Sequence, residues 1–408
     1  MSETSPIQPE LLSKINERLV LRMIQDAGPS TRAEMSKYIG VTFPTVAKAV
    51  SSLLDSRLLE EVEETTSRPG RPAKRLRLAC DSSQVIGVSL SGKECSVVAS
   101  DLNGTIDRES VLRFPTPDAY DSLLVNIASR VNKITSRNGK TTLAVGVSVP
   151  AIIDYSEQRA VLSAHLPWLN DKSIGKDLQS LLDYECVIVH DSHALSISER
   201  LHGKAKGISN FAMLDLCTGI GLGLVVDGRF LTGVSGFAGE IGHIPVVHDG
   251  ELCHCGKRGC LETVASEWAL ESRMSLLMRR PIEIDEILNM GNSGNEQVRL
   301  ELERMCDYLA IGVAHVINIV NPGAFYVCGK AFTECPELLE LLVNRTERLA
   351  LGPSFSACEF SLASGGLLDG TIASVINYLT ESLVPNLDGY VTPAHASDAI
   401  KSLSSTGL

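Results

Sequence analysis

From Val85 onward, short apolar runs recur with amphipathic stretches between them: VIGVSL, CSVVASDL, LAVGVSV, CVIVHDS and FAMLDLCTGIGLGLVVDG. Runs of this length, rich in β-branched residues and bounded by Gly, Asp or Ser, read as strands. Asp118 to Arg137 and Met305 to Ile319 carry helical periodicity instead. Strands alternating with helices fold as an α/β protein with mixed sheets. Roughly three hundred residues obey the pattern, enough for two lobes.

The stretch before Val85 follows a different rule. Ile15 to Gln25 reads as a helix with Ile15, Leu19 and Met23 on one face, ended by Gly28-Pro29. Thr31-x-x-Glu34 is a capping box for a second helix reaching Tyr38. Gly40 turns the chain, Thr42 caps a third helix, and Pro44 sits in its first turn. Val46, Ala49, Val50, Leu53 and Leu54 form that helix's apolar face. LLEEVEE and KRLRL then read as a strand and its return. Three helices and a two-stranded wing make a winged helix-turn-helix over 11–66, followed by a basic linker over 67–80. Such a unit lays its third helix in the major groove of double-stranded DNA, presenting Thr42, Phe43, Thr45 and Lys48. Arg68 and Arg71, flanked by Gly and Pro in SRPGRPAKRLR, suit a narrow minor groove.

Charge placement agrees with that division. The net charge of −12 excludes a protein that coats nucleic acid. Twelve basic and ten acidic side chains leave Met1 to Cys80 at +2 and the remainder at −14. Five of the basic ones lie between Arg68 and Arg77 with no acid among them, which points to contact with phosphates. No eighteen-residue apolar window exists; the nearest, Phe211 to Val226, is broken by Asp215 and glycines. MSETSPIQPE lacks the basic and apolar regions of a secretory signal, so a cytoplasmic protein without membrane contact is expected. After Leu379 periodicity fades, and 381–408 reads as a tail.

Eight of the eleven cysteines are scattered, as buried reduced thiols are. The other three cluster in GEIGHIPVVHDGELCHCGKRGCLE. Cys253, Cys255 and Cys260, with His243 upstream, make a closed tetrahedral zinc set of the structural kind, one ion per chain. His248 and His254 offer alternative nitrogens, and free redox-active thiols are the competing reading.

With these motifs in place, the sequence resembles the ROK group of repressors, open-reading-frame proteins and sugar kinases over roughly Leu11 to Leu379. GEIGH before the cysteines and CLE after them match that family's zinc signature. The resemblance implies an actin-like, ribonuclease-H-type ATPase fold in two lobes over 81–380. The N-terminal unit places the chain beside xylose repressors and the glucose and N-acetylglucosamine regulators. Family sugar contacts map onto His190 and Asp191, onto Glu240 and His243, and onto Glu262. His165-Leu166-Pro167-Trp168 is similar to the family's Asn-Leu-Pro-Trp sugar loop, so His165 joins the set. Two positions that are Asn in the family are His here.

The resemblance also frames the question of catalysis. Active kinases open this domain with Asp-x-Gly-Gly-Thr, whose carboxylate helps hold magnesium. The matching stretch is Ser89-Leu90-Ser91-Gly92-Lys93, without that carboxylate. Thr218-Gly219-Ile220-Gly221-Leu222-Gly223 keeps the second phosphate loop, while Lys330 follows Gly329 where the family has Gly-Gly. Asp191 matches the catalytic base but stands without nucleotide geometry. The expectation is therefore a degenerate kinase serving as sensor: a DNA-binding repressor of carbohydrate genes answering to a sugar or sugar phosphate. It is expected to act as a homodimer or homotetramer, with a phosphotransferase-system protein as a further partner. The competing expectation is an ATP-dependent hexose kinase that carries a DNA-binding domain.

Overall fold

The computed structural model describes residues 9–62, 74–155, 157–217 and 219–381. The chain opens with α1 (Pro9–Ala27), α2 (Arg32–Ile39) and α3 (Phe43–Asp55). An antiparallel pair follows, β1 (Leu59–Val62) with β2 (Arg75–Leu78). α1 starts earlier than Ile15 because Pro9 is tolerated in a first turn and the residues after it favour helix. The α2 capping box forms: the Glu34 N–H donates to Thr31 Oγ1 at 3.2 Å and the Thr31 N–H to Glu34 Oε2 at 2.8 Å. Thr42 departs from expectation, its hydroxyl meeting Thr45 Oγ1 at 2.9 Å and capping no backbone amide.

Residues 75–78, counted with the linker above, are a strand. Leu76 and Leu78 are buried while Arg75 and Arg77 alternate outward into ion pairs. That period of two is what one covered face requires.

Two lobes follow, each on a five-stranded sheet. The first contains β3 (Ser83–Leu90), β4 (Glu94–Ser100), β5 (Leu112–Pro115), α4 (Tyr120–Asn138) and β6 (Thr141–Val149). It continues through the hairpin β7 (Ile152–Asp154) and β8 (Arg159–Leu162), then α5 (Ile174–Leu182) and β9 (Glu185–His190). α6 (Asp191–His202) leads into β10 (Phe211–Leu216), β11 (Ile220–Val226) and β12 (Arg229–Phe230) of the second. Helices α7 (Glu262–Ala265), α8 (Glu267–Met278), α9 (Ile284–Asn292) and α10 (Glu296–Val320) come next. β13 (Ala324–Cys328), α11 (Lys330–Glu334), α12 (Glu337–Glu347), α13 (Gly352–Ser356) and β14 (Glu359–Leu362) complete that lobe, and α14 (Leu367–Glu381) returns to the first.

The strand orders are β5-β4-β3-β6-β9 and β12-β11-β10-β13-β14. In both, the first three strands are antiparallel and the last two join in parallel, so one plan occurs twice. β3 is covered on both faces, which explains its unbroken apolar run. Ile86, Val88 and Leu90 meet α4 and α5, while Val85 looks to the other side.

On that other side α14 lies unusually close to the sheet. Gly87 and Gly146 are register partners beneath it. A Cβ on Gly87 would come within 2.8 Å of Ile372 Cδ1, and one on Gly146 within 3.1 Å of Val375 Cβ. Gly370 backs onto α6, where a Cβ would sit 2.6 Å from the Ala194 carbonyl carbon. α6 in turn rests on β11, with Gly223 clearing Ser196. α14 also touches α1, and Ile372, Val375 and Ile376 share one apolar cluster with Val20, Leu21, Leu53 and Leu59. The N-terminal unit therefore shares a core with the first lobe. No helix among the described residues is long and apolar enough to cross a membrane.

Candidate functional site

Parallel strands gather their carboxyl ends at one edge of a sheet, where α/β proteins open a crevice. Ser89 pairs with Ser148 and Val149 with His190 in the first sheet, Asp215 pairs with Cys328 in the second, and Asp191, next after His190, lies near enough to Asp215 to feel its charge. His165 from the first lobe and Glu262, which begins α7 in the second, approach to 3.6 Å between Nε2 and Oε1. Gly219 makes that possible, since a Cβ there would lie 2.6 Å from Glu262 Oε2 and 3.0 Å from His165 Nε2. Glu262 Oε2 accepts the Ile220 N–H at 3.2 Å. Glu262 Oε1, His165 Nε2, Asp191 Oδ1 and Asp215 Oδ1 are all buried without a hydrogen-bond partner. Buried polar atoms rarely stay unpaired, so a crevice lined by four of them suits a polar guest.

The electrostatics are those of crowded, desolvated carboxylates. Burial holds the Asp191 carboxyl well above its ordinary value, with Asp215 adding to the effect. Burial also pushes Asp215 up to about 6. Glu240 rises to about 7, from burial first and Glu262 second. Glu262 moves the other way: burial would raise it, but His165, His243 and the Ile220 amide outweigh that and hold it low. Burial drives His190 down to about 3 and His193 down to about 4, so both rings are neutral. His190 Nδ1 accepts the Ser192 N–H at 3.2 Å and caps α6, leaving its other nitrogen for a guest.

Beside this crevice, the side-chain ligand atoms of His243, Cys253, Cys255 and Cys260 all lie within 4.8 Å of one another. His243 Nδ1 is 3.6 Å from Cys253 Sγ, and Cys255 Sγ is 3.7 Å from Cys260 Sγ. A tetrahedron with zinc-like bonds of about 2.0–2.3 Å has edges of about 3.3–3.8 Å, so these two separations match its edges and the set is compatible with one such ion. The loop is shaped for this. The Cys253 N–H donates to Lys257 O at 2.8 Å, and Gly259, at φ +73°, would press a Cβ into Val247 O. His243 presents its other nitrogen, Nε2, 3.8 Å from Glu240 Oε2, so one ring faces both the thiols and the crevice. His248 is exposed, with Nδ1 3.0 Å from Asp249 Oδ2, and lies outside the set.

Sequence reasoning passed over Trp268, one of two tryptophans. Its ring lies 4.7 Å from His254 and 6.4 Å from His165, centroid to centroid, forming an aromatic wall beside Glu262. The signal available was its place in CLETVASEW, six residues past Glu262. Trp168 instead packs against the first-lobe core.

The turns that carry Lys93 and Lys330 hold ion pairs. Lys93, on the turn between β3 and β4, reaches Glu271 at 2.8 Å and also Glu283, both in the second lobe. Lys330 pairs with Asp285, and its N–H donates to Glu267 Oε1 at 3.1 Å. Thr218 lies outside the described residues.

On the N-terminal unit, Thr42, Phe43 and Lys48 are exposed at the start of α3 and Thr45 is partly so. Phe43, at 53% exposure, does not pack inward, and Tyr38 on α2 is exposed as well. Arg68 and Arg71 fall outside the described residues. Their neighbours Lys74, Arg75 and Arg77 pair with Glu61, Glu34 and Glu60, so they do not form the free basic run expected from sequence.

Comparison with known proteins brings a family into view. The model of the ROK family matches residues 85–373. The xylose repressor of Bacillus subtilis (strain 168) is 25% identical over 377 residues, spanning 91% of this chain and 97% of that protein. A crystal structure of a ROK family transcriptional regulator, a homolog of the E. coli MLC protein, superposes with a TM-score of 0.78 at 21% identity, covering 91% of this chain and 98% of that one. A ROK family glucokinase from Streptomyces griseus, in complex with glucose and AMPPNP, gives 0.65 at 22% identity and covers 71% of this chain and 97% of its own.

Proposed function

Because this chain belongs to the ROK family, we propose that it is a sugar-responsive transcriptional repressor whose kinase-like lobes serve as the sensor. The similar xylose repressor covers 91% of this chain, more than the lobes alone contain, whereas the similar glucokinase covers 71%. In this reading α1 to β2 form a winged helix-turn-helix. Two such units in a symmetric homodimer, or a tetramer of two dimers, read an inverted repeat in operator DNA. A zinc ion on His243, Cys253, Cys255 and Cys260 fixes the loop that carries Glu240.

One observation carries the reading: the unit bearing α3 and the crevice bearing Asp191 are joined by packed helices. α6 begins at Asp191, α14 lies on α6 through Gly370, and α14 enters the core of α1 and α3. A sugar that binds one arrangement of the lobes better than another then moves the DNA-binding unit with them. His165, His190, Asp191, Glu240, His243 and Glu262 are the residues we assign to the sugar.

Phosphoryl transfer is disfavoured at three positions. Ser89 offers no carboxylate for magnesium, Lys93 is committed across the crevice, and Glu262 holds the Ile220 amide of the glycine loop. Selection of bound duplexes from random-sequence DNA tests the proposal and should return an inverted repeat with half-sites one or more helical turns apart. Lys48→Ala should weaken binding to that duplex and lower the salt slope by about one if its contact is to phosphate. Failure to enrich any duplex would overturn the proposal.

A further inference from the structure

Taking the crevice as the sugar-effector site, we infer that its ligand is an unphosphorylated monosaccharide and that the site rejects the phosphate ester of the same sugar. The observation is a distribution of charge. Asp191, Asp215, Glu240, Glu262 and Glu267 surround the crevice, and among the described residues none of them forms a salt bridge to Lys or Arg. The basic groups near them are imidazoles, of which His190 is buried and neutral, and Lys330, whose ammonium is held by Asp285 and Glu334. A zinc ion held by three thiolates would leave the adjoining corner with a net negative charge, so the metal supplies no attraction for an anion.

The places where a protein of this kind normally receives phosphate are filled from within. Helix N-termini and backbone amides in glycine-rich turns are anion sites. Here the first turns of α6 and α8 carry Asp191 and Glu267. Glu262 takes the Ile220 amide of the glycine loop, and Glu267 takes the Lys330 amide, at 3.2 and 3.1 Å. The two lysines nearest the old phosphate positions, Lys93 and Lys330, are paired with Glu271, Glu283 and Asp285. Glu262 Oε1, Asp191 Oδ1 and Asp215 Oδ1, on residues at least nine-tenths buried, remain unpaired and ask for hydrogen-bond donors. Sugar hydroxyls or an amino group supply donors, whereas a phosphate dianion supplies only acceptors and a like charge.

The test uses the full chain and matched pairs: D-glucose, N-acetyl-D-glucosamine and D-glucosamine, each against its 6-phosphate, and D-xylose against its 5-phosphate. Thermal shift identifies binders and calorimetry gives their affinities. At least one free sugar should bind, and its ester should bind about tenfold or more weakly. Glu267→Gln should narrow that gap. An ester that binds as tightly as its sugar, or more tightly, overturns the inference while leaving the effector site standing. Silence from all eight compounds overturns the sugar reading on which it rests.

Discussion

Glu267 stands at the head of α8, where it accepts the Lys330 amide and where burial pushes it up to about 7 from an ordinary 4.5. A raised acid means the native state holds a proton that the unfolded state releases. Stability from this group is therefore lost as pH rises from 4.5 towards 7, and the full cost persists above. Glu267→Gln removes the charge, so urea unfolding should show the variant gaining on the wild type between about pH 5 and pH 8, by on the order of 2 kcal/mol. A constant difference across that range would contradict the assignment. Cys255→Ser concerns the neighbouring loop: purified wild type should hold about one zinc per chain, and the variant much less. At this scale the sequence was informative wherever chemistry had a spacing. Cys253, Cys255, Cys260 and His243 were legible because four donors with one purpose lie within eighteen residues. Trp268 and Asp215 were not, because only folding brings an aromatic ring to His254 and one carboxylate to another. The capping role of His190 was equally hidden, since it depends on where α6 begins.

Among the elements, α14 has the most consequence relative to its sequence signal. Its apolar residues mark a helix, but nothing in them says which surfaces it joins. The glycines do that work: Gly87 and Gly146 lower the sheet beneath it, and Gly370 brings it against α6. Gly370→Ala would drive a methyl group into the Ala194 backbone, which cannot yield as a side chain does. The expected result is a loss of about 1–3 kcal/mol of stability and a weakened sugar response, with DNA affinity in the absence of sugar retained. Sugar-titrated DNA binding reads the second effect, and an undiminished response would remove α14 from the route. Strand and helix identities were legible from periodicity, and the return strand expected at KRLRL forms over Arg75–Leu78. Its register was not legible, because only folding sets Leu76 opposite Glu61 and Leu78 opposite Leu59.

Across the whole molecule, the proposed sensor and the proposed DNA-binding unit share one continuous structure. Lys93 ties the first lobe to Glu271 and Glu283 in the second, α6 and α14 lie between the lobes, and the N-terminal helices are built into the first-lobe core. Closure on a sugar cannot then remain local. Coupling of this kind is typically worth roughly 1–3 kcal/mol, or about 5- to 150-fold in affinity. The most direct measurement is the affinity of wild type and Glu240→Ala for the selected duplex, each with and without the sugar found by screening. The account predicts that the sugar weakens DNA binding by the wild type within that range, and that Glu240→Ala binds DNA normally but ignores the sugar. A full sugar response from Glu240→Ala would contradict it.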